Sequence, residues 1–421
     1  MTAEIGLMNR MAVALAADSA VTLGSMKVYN SANKLFMLSK YQPVGIMIYG
    51  NAELMSTPWE TIIKVYRKNL YKNFFNTLEE YANDFINFLE CRFFSEEELI
   101  SNFEKTIKYY YYGILEETKG YINKVLDSAN IEEGEIIKVL KENIAEHHKM
   151  LKRNNNCKNF DSNQIKEINK KYKVISNKVI RNFFDISNLK LTAVDIRRLN
   201  DIAIFLMTKE YFTPRHTGFV IAGFGEKEIY PSIISYKIEA VINNKAKYMY
   251  LDDISYSVGK DGDGAIIPFA QSDMAYAFME GIDKRLEDFT FEYFDAMINK
   301  YSEMITDTVG TAKKLKKEEI IKELNKKVSN AFRESILKHR REKYVDPILD
   351  VLGGLPKDEL ATMAETLVNL TSFKRKITMD TETVGGPIDV AVISKGDGFI
   401  WIKRKHYFKS ELNNHFFNII F

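Results

Sequence analysis

Cysteine is nearly absent: the 421 residues contain two, Cys91 and Cys157. They are far apart and show neither CxxC nor Cys/His spacing, which excludes a disulfide framework and gives no sign of a zinc site. A reducing cytoplasm suits this usage. Histidine is also scarce, at six, and the adjacent His147 and His148 lack the i,i+4 spacing of a helical zinc motif, so neither metal nor cofactor is expected. No charge of one sign dominates, with 59 Lys and Arg against 57 Asp and Glu, so no overall field draws in nucleic acid or an acidic membrane. The basic runs at 313–317 and 338–343 have acidic neighbours and read as solvated helix faces. Long apolar runs are missing too. Met11 to Ala17 is stopped by Asp18 well short of a bilayer span, and with Glu4 upstream it reads as a strand rather than a signal segment.

What is present is ordinary globular material, 46% hydrophobic and 28% charged. Ala3 to Met8 and Met11 to Ala17 form a predicted hairpin of small and apolar residues across Asn9 and Arg10. Leu35 to Leu38 and Val44 to Tyr49 form a second. Thr57 as cap, Pro58 at the first helical position and Glu60 completing a capping box then predict a helix start. From about 69 to 213 the periodicity turns helical, with a capping box at Ser95 and Glu98 and an Asn/Lys-rich break at 152–163. Sheet patterning returns at 216–225, 233–241 and 247–251, a helix follows at 271–282, and charged helical sequence runs to about 352. Leu360, Ala364, Leu367 and Val368 share one helix face. Residues 388–394 and 399–403 make the last hairpin. This is an α+β pattern split by two helical excursions.

Three residues near the start carry chemistry together. A threonine hydroxyl needs a base within reach, and a threonine freed at its own amino group supplies an α-amine with a pKa of about 7.7–8.0. Thr2 follows Met1, and methionine aminopeptidases remove Met before small residues. Lys34 opens an apolar strand, where its ammonium favours a deprotonated neighbour. Asp18 closes another, where a carboxylate needs a partner. Singly, each reads as an ordinary strand-end charge. Jointly, Thr2-Ala3-Glu4, Ala17-Asp18-Ser19-Ala20-Val21-Thr22 and Asn33-Lys34-Leu35 resemble the opening of proteasome β subunits and the HslV-like protease, N-terminal-nucleophile (Ntn) hydrolases in which Thr, Asp and Lys lie at the same offsets.

That resemblance implies a four-layer αββα sandwich with large helical insertions. The sandwich would comprise 2–70, 216–282 and 354–405, interrupted by helical insertions at 71–213 and 283–352 and followed by a tail at 406–421. It implies a threonine-type peptidase, cytoplasmic, with Thr2 as nucleophile, Lys34 and Asp18 in support, and the Gly50 N–H as oxyanion donor. Thr22 would hold substrate backbone, and Ile48 and Ala52 would line the specificity pocket. Where the family has a serine near the amine this chain has Ala270, with Ser272 close by. Val384-Gly385-Gly386 resembles a Ser-Gly-Gly element in which Val384 stands for the serine and the supporting aspartate falls near Thr381, with Asp380 and Thr383 as substitutes if the loop is shifted. The implied partners are a peptide or unfolded protein substrate, further copies of the chain and an ATP-dependent unfoldase. Two other readings stay open, an amidase or acylase acting on a small amide and a catalytically lapsed scaffold.

Overall fold

The computed structural model describes residues 2–23, 27–91, 93–126, 133–184, 189–308, 314–378 and 384–413. The strands in chain order are β1 Glu4–Asn9, β2 Ala12–Ala17, β3 Val21–Leu23, β4 Lys27–Tyr29, β5 Leu35–Met37, β6 Val44–Gly50, β7 Glu53–Leu54, β8 Thr57–Pro58, β9 Thr217–Gly223, β10 Ser232–Ile242, β11 Lys245–Tyr250, β12 Tyr256–Ser257, β13 Gly264–Pro268, β14 Asp389–Ser394 and β15 Gly398–Lys403. The helices are α1 Trp59–Leu70, α2 Leu78–Cys91, α3 Glu96–Leu126, α4 Glu133–Arg153, α5 Ser162–Phe183, α6 Ala193–Thr208, α7 Asp273–Glu280, α8 Lys284–Thr308, α9 Lys314–Arg340, α10 Asp346–Gly354 and α11 Lys357–Ile377. The class is mixed α+β.

One antiparallel sheet runs β13-β1-β2-β14-β15, and a second runs β11-β10-β9-β6-β5 with β12 on the flank of β10. Both faces of the first sheet are covered, because every residue of β1 and β2 is buried. Successive strand side chains point to opposite faces. Ile5, Leu7, Ala12, Ala14 and Ala16 accordingly meet Leu360, Ala364, Leu367 and Val368 of α11, while Met8, Val13 and Leu15 meet Met47, Val220 and Ile233 of the second sheet. The two sheets are close enough that a Cβ on Gly6 would come within 2.8 Å of Ile233 Cδ1. The outer face of the second sheet is covered by Trp59, Ile62 and Tyr66 of α1 and Phe85 of α2, packed on Ile48, Phe219 and Ile238. The order of layers is helices, sheet, sheet, helices.

Helices α3 to α6 build a separate core around Phe103, Tyr111, Ile144, Tyr172, Ile180 and Ile202, which meets the second sheet at Ala240 and Ile242 of β10. Within the aromatic run at 109–112, Tyr110 and Tyr111 point into that core while Tyr109 and Tyr112 are exposed. Among the described residues no helix is long and apolar enough to cross a membrane.

Two local expectations are corrected. Helix α1 starts at Trp59 after Pro58 with no side-chain cap, because Thr57 and Pro58 instead pair with Leu54 and Glu53 as a short antiparallel ribbon. Residues 264–268, which carried no strand expectation, form β13 along β1. As an edge strand β13 tolerates Pro268, which has no N–H to donate.

Candidate active site

Thr2 and Glu4 are two residues apart, so the strand period places both side chains on the same face of the first sheet. Asp18 follows β2 directly, and its N–H donates to Ala3 O at 3.1 Å, which locks the end of one strand to the start of the other. Lys34 immediately precedes β5 in the second sheet, where its carbonyl accepts from Ile48 N at 2.9 Å. The four residues therefore meet where the two sheets pack together. Their exposures are 5% for Thr2, 1% for Glu4, 1% for Asp18 and 5% for Lys34.

The Lys34 ammonium donates to Asp18 Oδ1 and lies 3.4 Å from Glu4 Oε1. Asp18 is fully engaged: Oδ1 also accepts from Ala3 N at 3.1 Å, and Oδ2 accepts from Gly385 N at 3.0 Å and Ala20 N at 3.2 Å. The Thr2 hydroxyl donates to Glu4 Oε2 at 2.8 Å. Glu4 Oε1 accepts no hydrogen bond among the described residues. Burial pushes the Glu4 carboxyl up to about 7; Lys34 opposes the rise, Asp18 adds to it, and the Thr2 hydrogen bond works against it. Burial also raises the Tyr49 phenol, with the Glu4 charge adding to the rise.

The floor is backbone. Gln271 N donates to Thr2 O at 3.1 Å and Phe269 N to Glu4 O at 2.8 Å. The Phe269 ring stacks on Tyr49, 5.9 Å between centroids. Gly50 comes next, exposed at the end of β6 with φ +84°, and a Cβ there would sit 2.9 Å from His216 O. A residue with a side chain would be strained at that position.

The remaining candidates are more dispersed. Ile48 is buried on the far face of the second sheet in the cluster with Trp59 and Phe219, and Ala52 is exposed just before β7. Thr22 pairs with Val28 in the small β3-β4 ribbon. Ser272 stands at the head of α7, where its side chain caps no backbone N–H, and Ala270 has φ +54°. Asp380 and Thr383 lie outside the described residues. Beyond the site, His147 joins Tyr110 to Glu117 at 2.8 Å on either ring nitrogen, and His148 faces Asp201 at 3.2 Å.

Glu4 was not a sequence candidate. Its signal was available: it is the one charged residue in the stretch from Thr2 to Met8, and it shares a strand face with Thr2.

No family model matches this chain, and no curated protein matches it. A solved structure, Anbu (ancestral beta-subunit) from Yersinia bercovieri, is 10% identical with a TM-score of 0.27, over 99% of this chain and 94% of that one. So low a score supports no argument from that structure to this one. The expectation that this is a proteasome β-subunit or HslV-like chain is therefore corrected: agreement of three residues at matching offsets did not extend to a family match. What the resemblance implied about partners rested on it alone. The chemistry has to be argued from this chain's own atoms.

Proposed function

We propose that this chain is an amide hydrolase that uses the Thr2 hydroxyl as nucleophile on peptide bonds, after the Met1–Thr2 bond has been cut. One observation carries the reading: a buried ammonium, Lys34, held between two buried carboxylates, one of which accepts the hydrogen bond of the Thr2 hydroxyl. Buried charges in such numbers are costly to keep for stability alone, and hydroxyl, carboxylate and ammonium in contact are the parts that nucleophilic catalysis needs.

In this mechanism Thr2 Oγ attacks the amide carbon and forms an ester as the amine leaves, and water then hydrolyses the ester. The α-amine released with Met1 is a proton acceptor on the nucleophile's own residue. Lys34 stabilises negative charge as it develops on Oγ, and Asp18, anchored by three backbone N–H groups, fixes the ammonium. In this reading the N–H of Gly50, which follows Tyr49 at the end of β6, is the oxyanion donor. Intact mass spectrometry of the purified protein together with peptide hydrolysis by wild type and Thr2→Ala tests the reading. Loss of turnover in the variant is expected, and undiminished cleavage by protein that retains Met1 would overturn it.

The near-complete burial of Thr2 favours a second reading, a chain that keeps the constellation but admits no substrate. A β-lactone probe separates the two, because a closed site leaves Thr2 unlabelled.

A further inference from the structure

Glu4 is unexplained by the mechanism so far. It is as deeply buried as Asp18, it opens the strand that follows the nucleophile by two residues, and it accepts the hydrogen bond of the nucleophile's hydroxyl at 2.8 Å. A structural carboxylate would have both oxygens satisfied, as Asp18 has, because an unfilled buried acceptor is costly. Glu4 instead keeps Oε1 without a hydrogen bond, 3.4 Å from the Lys34 ammonium. Lys34 already has Asp18, so Glu4 is not needed to neutralise it.

We infer that Glu4 is the general base of the proposed reaction, taking the Thr2 hydroxyl proton during attack and returning it to the leaving amine. The inference rests on the hydrolase reading above and deepens it. In the acylation step the Thr2 O–H bond breaks toward Glu4 Oε2 as the bond from Oγ to the carbonyl carbon forms. The C–N bond then breaks, and the proton on Glu4 passes to the departing nitrogen. In deacylation Glu4 takes a proton from water as the water oxygen bonds to the ester carbon. Collapse returns that proton to Oγ and releases a carboxylic acid. No oxidant or further reactant is needed. Lys34 acts on the base as well as on the nucleophile, since its charge keeps Glu4 from rising further out of the working range. Among the described residues, the titratable and charged groups facing Glu4 are Asp18 from the first sheet and Lys34 and Tyr49 from the second, joined by the Thr2 α-amine once Met1 is removed.

The test is the rate at which a β-lactone acylates Thr2, read by intact mass on protein with Met1 removed, so that it does not depend on knowing the peptide substrate. Thr2→Ala must abolish labelling. Glu4→Gln keeps the size and the hydrogen-bond acceptor but takes no proton, and its rate should fall about 100-fold or more. Glu4→Asp keeps the charge and draws the carboxylate back by a methylene, and its rate should fall roughly tenfold or more. If Glu4→Gln does not fold, Glu4→Asp carries the test alone. Either variant labelling within threefold of wild type, with Thr2→Ala silent, overturns Glu4 as base and leaves the hydrolase standing with the amine in that role. Wild type that takes no label at Thr2 overturns the hydrolase reading itself and Glu4's role with it.

Discussion

Lys34 faces two carboxylates, so removing it leaves both stranded rather than merely losing a contact. Glu4 and Asp18 have no alternative cation among the ion pairs of the described residues, and each is 1% exposed. Breaking a buried pair from one side costs about 3–5 kcal/mol. Lys34→Met should therefore lower the urea-unfolding free energy by that amount and stop β-lactone labelling. Wild-type stability in this variant would mean that the carboxylates are neutral or solvated in the folded chain. Glu4 gives a second prediction, in pH. Its carboxyl is raised by burial from 4.5 to about 7, so between those values the folded chain holds a proton that the unfolded chain has released. The unfolded state binds fewer protons there, and stability falls as pH rises across the window, by up to roughly 3 kcal/mol, then stays level above it. Urea midpoints of wild type and Glu4→Gln at pH 5 and pH 7.5 measure it: wild type should lose ground to the variant at the higher pH, and a constant gap would refute the shift. Labelling of wild type should rise over the same range, as Glu4 loses its proton.

At the scale of elements, the helical segment is fastened to the second sheet by a buried charge. Lys247 of β11 is fully buried, and its ammonium donates to Leu206 O in α6 at 2.7 Å, to Tyr211 O and to Glu239 Oε2 of β10 at 2.6 Å. Glu239 in turn accepts from the backbone N–H of Thr213 at 2.9 Å. The pair satisfies backbone groups where helix gives way to strand, a junction that leaves carbonyls without helical partners. Lys247→Met should cost about 3–5 kcal/mol in urea unfolding, and Lys247→Met with Glu239→Leu should recover part of it; a double variant no more stable than the single would assign the loss to the carbonyls instead. None of this was legible beforehand, because a lysine in a strand reads as a solvated position until its neighbours are known. Local rules worked where the partners are close in sequence. The Ser95 and Glu98 box forms, with Ser95 N donating to Glu98 Oε2 at 2.8 Å, and the α11 stripe from Leu360 to Val368 is buried. They failed where a distant strand decided the outcome. Residues 264–268 become β13 through pairing with β1, about 260 positions away, and Thr57 is drawn into a ribbon instead of capping a helix. Asp18 and Lys34 could be singled out because strand-end charges beside apolar runs need partners. Glu4 offered the same kind of signal, a lone charge in an apolar strand two residues from Thr2, but its pairing with Lys34 across the sheets was not legible.

At the scale of the whole molecule, the core of α3 to α6 borders the second sheet. Among the described residues, the hydrogen-bond and ion-pair partners of Thr2 and Glu4, with Asp18 beyond Lys34, belong to the sheets and their loops. The core of α3 to α6 touches those sheets through Ala240 and Ile242 at the end of β10. Damage to that helical core should therefore stay local. Phe103 is 1% exposed and packs on Tyr172 with 4.9 Å between ring centroids. Phe103→Ala removes most of that packing, at a cost of about 3–5 kcal/mol. Faster hydrogen exchange should appear in peptides from 96–208, while peptides from β1, β2 and β9 exchange as before and the rate of Thr2 labelling changes less than twofold, because sub-global opening follows the local core. If labelling instead slows in step with the loss of protection, the helices and the sheets fold as one cooperative unit, and the helical segment takes part in holding the nucleophile in place.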